Sequence, residues 1–233
     1  MISAKLIAVT QPVVEGIADA KELIAYCARV SNPANQMNMA TADKLLAYLK
    51  KNRHWSPLEM ANAVVEVNVP RDIARQLLRH GSFKFQEFSQ RYSDVTQLEQ
   101  AFCIRELRMQ DTKNRQNSVQ IDMSEEENRF IAAEWQRRQE EVLELVQDTY
   151  KWAMNVGIAK EVARVVLPEG MTMSRAYVNG TIRSWIHYLE VRLEEGVTQH
   201  EHVMLARVIA EAVNAAFPCV EETWKVLDST LLT

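Results

Sequence analysis

The chain is poor in the residues that cross-link or punctuate a fold. Of 233 residues, only 3 are cysteine, 6 glycine and 6 proline. Cys27, Cys103 and Cys219 are scattered and odd in number, and no Cys-x-x-Cys occurs. That argues against a disulfide framework and a cysteine-built metal site, so reduced thiols of a cytoplasmic protein are expected. So little glycine and proline leaves no long flexible linker, and one domain over residues 1–233 is expected. No apolar run approaches the length of a membrane span, and the opening MISAKLIAVTQ lacks the apolar core of a signal peptide. Neither a Gly-x-x-x-x-Gly-Lys-Ser/Thr loop nor a Gly-x-Gly-x-x-Gly turn is present. The net charge of -4 argues against a general nucleic-acid coat, so any basic surface must be local. What remains is ordinary globular composition, 47% hydrophobic and 25% charged.

Periodicity predicts a mixed chain with more helix than strand. Ile2 to Val14 is rich in β-branched residues and reads as a strand. Helical spacing covers Ala20 to Val30 and Thr41 to Lys51. Between Ala61 and Pro70, Ala61, Ala63, Val65, Val67 and Val69 alternate with Asn62, Glu66 and Asn68, the pattern of a half-buried strand. Asp72 is the expected N-cap of a short helix carrying Gln76, Arg79 and His80. Cys103 to Gln120 is polar and irregular, a loop or hairpin. A long helix is expected from Ser124, with Glu127 in capping-box position, to about Asn155. Another short helix covers Ala159 to Val166, Met171 to Val178 is extended, and helices cover Gly180 to Glu194 and Gln199 to Ala216, the last stopped by Phe217-Pro218. Strands and helices do not alternate regularly, so a doubly wound parallel sheet is not indicated.

The densest chemistry lies between Arg79 and Tyr92, R-H-G-S-F-K-F-Q-E-F-S-Q-R-Y. Fixed cations and hydroxyl donors suit a ligand carrying phosphate or carboxylate. Basic residues near a helix end also complement its dipole with no ligand at all. If the stretch is extended, Glu87, Ser89 and Arg91 share one side and converge beside Arg79 and His80. An ion pair of Glu87 with Arg91 would explain part of this, but would not require Ser89, Gln76 and His80 as well.

Arg79-His80, followed by Ser89-x-Arg91, resembles the Arg-His-Arg…Ser-x-Arg signature of the flavin-dependent thymidylate synthases, with Gly81 in place of the third basic residue. His54-Trp55-Ser56-Pro57-Leu58-Glu59 resembles that family's His-x-Ser/Thr-Pro-x-Glu segment, although Ser-Pro-x-Glu is also a good turn or helix start. Ala163-Arg164-Val165-Val166-Leu167-Pro168 looks like its Ala-Arg-x-Val-Leu-Pro; Ile182 to Arg192 resembles its late helix; Gln199 and Glu201 resemble its Ala-Gln-x-Glu. These segments follow the family's order.

The resemblance implies an α+β fold: a mixed or antiparallel twisted sheet flanked by helices, with a long central helix and a helical C-terminal part. It implies reductive methylation of dUMP to dTMP, with methylenetetrahydrofolate as carbon donor and FAD and NADPH as hydride source. It places the flavin on His54, Ser56, Arg79, His80, Gly81, Glu87, Arg183 and His187. It places dUMP on Gln76, Arg79, Glu87, Ser89, Gln90, Arg91, Arg164 and Arg192, and it makes Arg192 the group that stabilises negative charge on the uracil ring. No ligand role is carried over for Gln199 or Glu201. Arg192 stands about 140° around a simple helix from His187, so one copy serves two clefts or the two ends of one; family members are homotetramers with shared sites. Gly81 reads either as a left-handed helix cap or as a lost guanidinium, with Lys84 as a substitute charge. Two other functions stay open: a flavin- and folate-dependent hydroxymethylation of a pyrimidine deoxynucleotide, and a nucleic-acid-binding module in which Arg71, Arg75, Arg79, Lys84 and Arg91 interleave with Phe83, Phe85 and Phe88.

Overall fold

The alternation of residues 61–69 sets the architecture. In the computed structural model, which describes residues 1–217, Ala61, Ala63, Val65, Val67 and Val69 are all fully buried. Asn62, Val64, Glu66 and Asn68 on the opposite face are half-buried. The first strands and helices are β1 (Ser3–Val9), α1 (Ala20–Ala28), α2 (Ala42–Lys51), β2 (Asn62–Pro70), α3 (Arg71–Leu77) and β3 (Lys84–Glu87). There follow β4 (Met109–Gln110), β5 (Ser118–Val119), α4 (Glu126–Asn155), α5 (Lys160–Ala163), β6 (Met173–Thr181), α6 (Ile182–Arg192) and α7 (His200–Asn214). Strands β1-β2-β6-β3 form one sheet whose neighbours are all antiparallel. Helices α6 and α7, with α1 and α2, bury the apolar face in one core that includes Ile24, Leu46, Trp185, Leu189 and Ile209. A smaller cluster, Val95, Tyr150, Ala153, Ala163 and Leu167, joins α4 to α5. Residues 103–120 close into the small β4-β5 hairpin.

Several boundaries differ from the expected ones, each for a local reason. β1 stops at Val9, before Pro12, which has no N–H to give a ladder. α3 begins at Arg71, capped by Pro70, and the Asp72 carboxylate accepts from Arg105 Nη2 at 2.6 Å instead of capping. α3 also ends at Leu77, so Arg79 and His80 stand in the turns that follow it. α4 has no side-chain cap: the Ser124 N–H is held by Asp122 at 2.8 Å, and the helix starts at Glu126. Gly180 belongs to β6, and Thr181 caps α6 by accepting from the Ser184 N–H at 3.2 Å. Gly180 is needed there, because a Cβ would lie 2.3 Å from Cδ1 of Phe83. Phe83 in turn packs on Trp185 with ring centroids 4.4 Å apart. Pro218, the expected stop of α7, and Cys219 lie outside the described residues.

Candidate active site

The turn after α3 meets the end of α6. Arg192 donates from Nε to Nε2 of His80 at 3.0 Å. A guanidinium can only donate, so this nitrogen of His80 is the acceptor and the ring is neutral with its proton on Nδ1. Burial, then the nearby Arg192 and His187, pushes the His80 pKa down to about 4. His80 thus feels both Arg192 and His187, although these leave α6 in different directions. Tyr188 crosses His80 edge-on at 5.0 Å, and burial raises its phenol above the usual range. His202 is fully buried beside it, and burial with Arg192 and His80 lowers its pKa to about 3.

On one side of this junction lies a cleft of about 540 Å³ lined by Arg53, Trp55, Glu59, Ser82, Arg183, Ser184, His187 and Glu190. Arg183 is ion-paired with Glu59. Of the His54 to Glu59 turn it is Trp55 and Glu59 that line the cleft; His54 turns its ring edge to Tyr48 at 5.8 Å, and Ser56 is exposed. Arg53, which motif reading passed over, is the one non-glycine described residue with positive φ, 56°. Such a conformation is uncommon for a residue other than glycine. Volume, donors and the flat indole suit an extended aromatic ligand with anionic groups. Ser82 also lines it, one residue from Gly81. Gly81 does not have positive φ, and a Cβ built on it meets nothing within 4 Å. The left-handed cap is therefore corrected: the backbone there does not demand glycine.

The remaining expected ligands gather elsewhere, and the extended stretch is shorter than predicted. β3 ends at Glu87, and the Ser89 carbonyl accepts from the N–H groups of Tyr92 and Ser93 at 3.1 and 2.9 Å, closing a turn. Glu87, Ser89 and Arg91 therefore do not share one side. Glu87 is ion-paired with Arg75, lies 3.6 Å from Arg71 and accepts from Ser174 Oγ at 2.9 Å. Arg91 lies 3.4 Å from Glu161 of α5, not against Glu87. Arg71 is held below the ordinary guanidinium pKa first by burial, with Glu87 and Glu169 opposing and Arg75 and Arg164 adding to the effect. Arg164, half-buried, thus belongs to this arginine cluster, and it has no carboxylate in ion-pair reach among the described residues. The Gln90 side chain is buried, and its Nε2 has no hydrogen-bond partner among the described residues. Gln76 donates to Gln199 at 2.7 Å and faces His202 at 3.2 Å, so it stands on the His80 side. Among the described residues no group of His, Cys, Asp and Glu could hold a metal ion, and no helix is long and apolar enough to cross a membrane.

All of these segments fall within the part of the chain that a known family matches. A family model described as thymidylate synthase complementing protein matches residues 12–219. The chain is 47% identical over 219 residues to a probable flavin-dependent thymidylate synthase of Paramecium bursaria Chlorella virus 1, covering 94% of this chain and 97% of the relative. It is 42% identical over 222 residues to a flavin-dependent thymidylate synthase of Synechocystis, again covering 94% and 97%. Among solved structures, a UMP/dUMP methylase PolB from Streptomyces cacaoi bound with 5-Br dUMP has the same fold, with a TM-score of 0.73, 24% identity and coverage of 97% and 95%. The chain therefore belongs to the thymidylate synthase complementing protein family, the flavin-dependent thymidylate synthases.

Proposed function

We infer that this protein reductively methylates dUMP to dTMP, using FAD. What carries the reading on this chain's own residues is a division among its arginines. Arg71, Arg75 and Arg105 each lie against a carboxylate, while Arg91 and Arg183 do so only in exposed pairs that a ligand can displace. Arg79, Arg164 and Arg192 have none among the described residues, and Arg192 has only the neutral His80. A guanidinium without a carboxylate is suited to an anionic ligand. Arg164, with Ser89 and Arg91 on the neighbouring turn, would hold the nucleotide phosphate, and Gln76, Glu87 and Gln90 would orient the nucleotide. Arg192, its Nε fixed by His80, would turn its terminal amino groups to the uracil ring and stabilise negative charge there. His54, Ser56, Arg79, His80, Gly81, Glu87, Arg183 and His187 would surround the flavin, which supplies the hydride. This route needs no thiolate nucleophile, and burial raises the pKa of both described thiols, Cys27 and Cys103, which makes them poor ones.

Methylenetetrahydrofolate as carbon donor, NADPH as reductant and a cytoplasmic setting belong to the same proposal, as does a homotetramer with shared sites. Two features favour sharing. The cleft at Arg183 and His187 is not lined by Ser89, Arg91 or Arg164. In addition, α4 exposes Phe130, Trp135, Leu145 and Trp152, large apolar groups that an assembly would cover. The test is release of tritium from carbon 5 of labelled dUMP with the folate and reduced FAD. Release with a methylated product is expected. A hydroxymethylated product by mass spectrometry, or no release by flavin-loaded protein, overturns the reading.

A further inference from the structure

A polar chain runs from Arg105 through the exposed Gln199 and the candidate ligand Gln76 to the buried His202 and to Tyr188 of α6. Arg105 approaches two carboxylates at once, Asp72 of α3 at 2.6 Å and Glu201 of α7 at 2.8 Å, and donates from Nε to the Gly170 carbonyl at 3.1 Å. Its own backbone is clamped to α4, where the buried Gln139 exchanges two hydrogen bonds with it, each of 2.9 Å. From Glu201 the chain continues through Gln199 Nε2 (2.9 Å), from Gln199 Oε1 to Gln76 Nε2 (2.7 Å), from Gln76 Oε1 to His202 Nδ1 (3.2 Å), and from His202 Nε2 to the Tyr188 hydroxyl (3.1 Å).

The direction of this chain follows from its first member. An ionised carboxylate can only accept, so Gln199 must turn its amino group to Glu201 and its oxygen to Gln76. Gln76 must then present its amino group to Gln199 and its oxygen to His202. His202 must carry its proton on Nδ1, which leaves Nε2 to accept from Tyr188. Burial alone would raise the Glu201 pKa, but the Arg105 cation and hydrogen bonds outweigh it and hold the carboxyl below its usual range.

We propose that Arg105 and Glu201 are positioning residues: through this chain they fix the orientation of the Gln76 amide, and so the face it offers the pyrimidine nucleotide. The proposal rests on the reading of Gln76 as a substrate ligand. Gln76 is held by both of its amide atoms, and its second amino hydrogen is left to donate. Without the acceptor-only end, either orientation satisfies the chain equally well, and Gln76 offers a donor or an acceptor at random.

The test uses the full-length flavin-loaded protein with nitrogen-15 histidine. In the unaltered protein the His202 ring should show one neutral tautomer, protonated at Nδ1. Gln199→Ala cuts the chain and leaves the Arg105–Glu201 pair intact, so the fold should survive. It should give a mixture of His202 tautomers and raise KM for dUMP about five- to tenfold, as expected for one lost hydrogen bond, with kcat within about twofold. Glu201→Gln keeps its oxygen on Arg105, which can only donate, and turns an amino group to Gln199, so the chain should reverse and His202 should be protonated at Nε2. A wild-type ring protonated at Nε2, or a single unchanged tautomer in Gln199→Ala, overturns the proposal. So does an unchanged KM in Gln199→Ala. Gln76→Ala then locates that failure: if its KM is also unchanged while the tautomers mix, it is the ligand reading of Gln76 that has failed and not the direction of the chain.

Discussion

Two arginine-rich regions of this molecule use the same side chain in opposite ways. Around β3, Arg71 and Arg75 close on Glu87, with Glu169 3.7 Å from Arg71. At the end of α6, Arg192 closes on an uncharged imidazole. In the first region the cations are neutralised inside the chain and tie α3 to β3. In the second the charge is retained and only its geometry is fixed. A paired guanidinium contributes to the fold, and removing its partner leaves a part-buried charge uncompensated. An unpaired one contributes little to the fold, so its charge is left for a ligand. Arg164 joins the two regions, since it lies in the field of Arg71 yet has no carboxylate of its own among the described residues.

Substitutions that exchange these behaviours test the contrast. Arg192→Ala should lower kcat in the tritium-release assay by about 10²- to 10³-fold, the size of effect seen when one donor to a developing anion is lost. Its melting temperature should stay near that of the parent, and a large fall in stability instead would place Arg192 with the structural arginines. Glu87→Gln should instead cost stability, about 3 kcal/mol in denaturant unfolding, because Arg71 and Arg75 lose their shared carboxylate. Arg164→Ala should raise KM for dUMP about 10- to 100-fold, in proportion to one charged hydrogen bond, with little change in unfolding midpoint; the opposite split would sink its phosphate role.

A pH series separates the regions more gently. His80 has a folded pKa of about 4 against an ordinary value of 6.5. Its neutral form therefore stabilises the fold fully above pH 6.5, and that contribution is lost as pH falls from there through 4, because the unfolded chain takes up the proton first. His202, at about 3, acts in the same direction over a wider window. Urea midpoints measured between pH 7 and pH 4 should fall, and His80→Gln should flatten that slope. The smallest effect is expected at Gly81→Arg, where a Cβ meets no described atom within 4 Å. It should tighten FAD severalfold, about 0.5–1 kcal/mol for an added exposed charge, and a titration showing equal or weaker affinity would count against a missing cation there.

Local pattern made much of the scaffold legible. The strict alternation of Ala61 to Val69 marked a strand with one buried face, and every one of those five positions is fully buried. The helices of residues 20–30 and 41–51 appear within a few residues of their expected limits. Less legible were the junctions. Gly180 looks like a helix start in one dimension, yet it closes a strand because Phe83 occupies the space beside it. Asp72 looks like a cap, yet Arg105 claims its carboxylate from 33 residues away. Arg53 carries no motif, and only its backbone conformation and its place in the cleft mark it.

The sequence by itself determined the sheet's buried face, through a side-chain period of two, and the family, through short motifs in a shared order. It could not determine which cations would be neutralised. Arg91 and Glu87 are neighbours in sequence but take different partners, while Arg192 reaches His80 across 112 positions. Ion pairing is decided over a few ångströms, and those distances exist only once β3, α3, α6 and α7 have packed. The tertiary structure alone therefore sorted identical arginines into those that hold the fold together and those whose charge remains for a ligand.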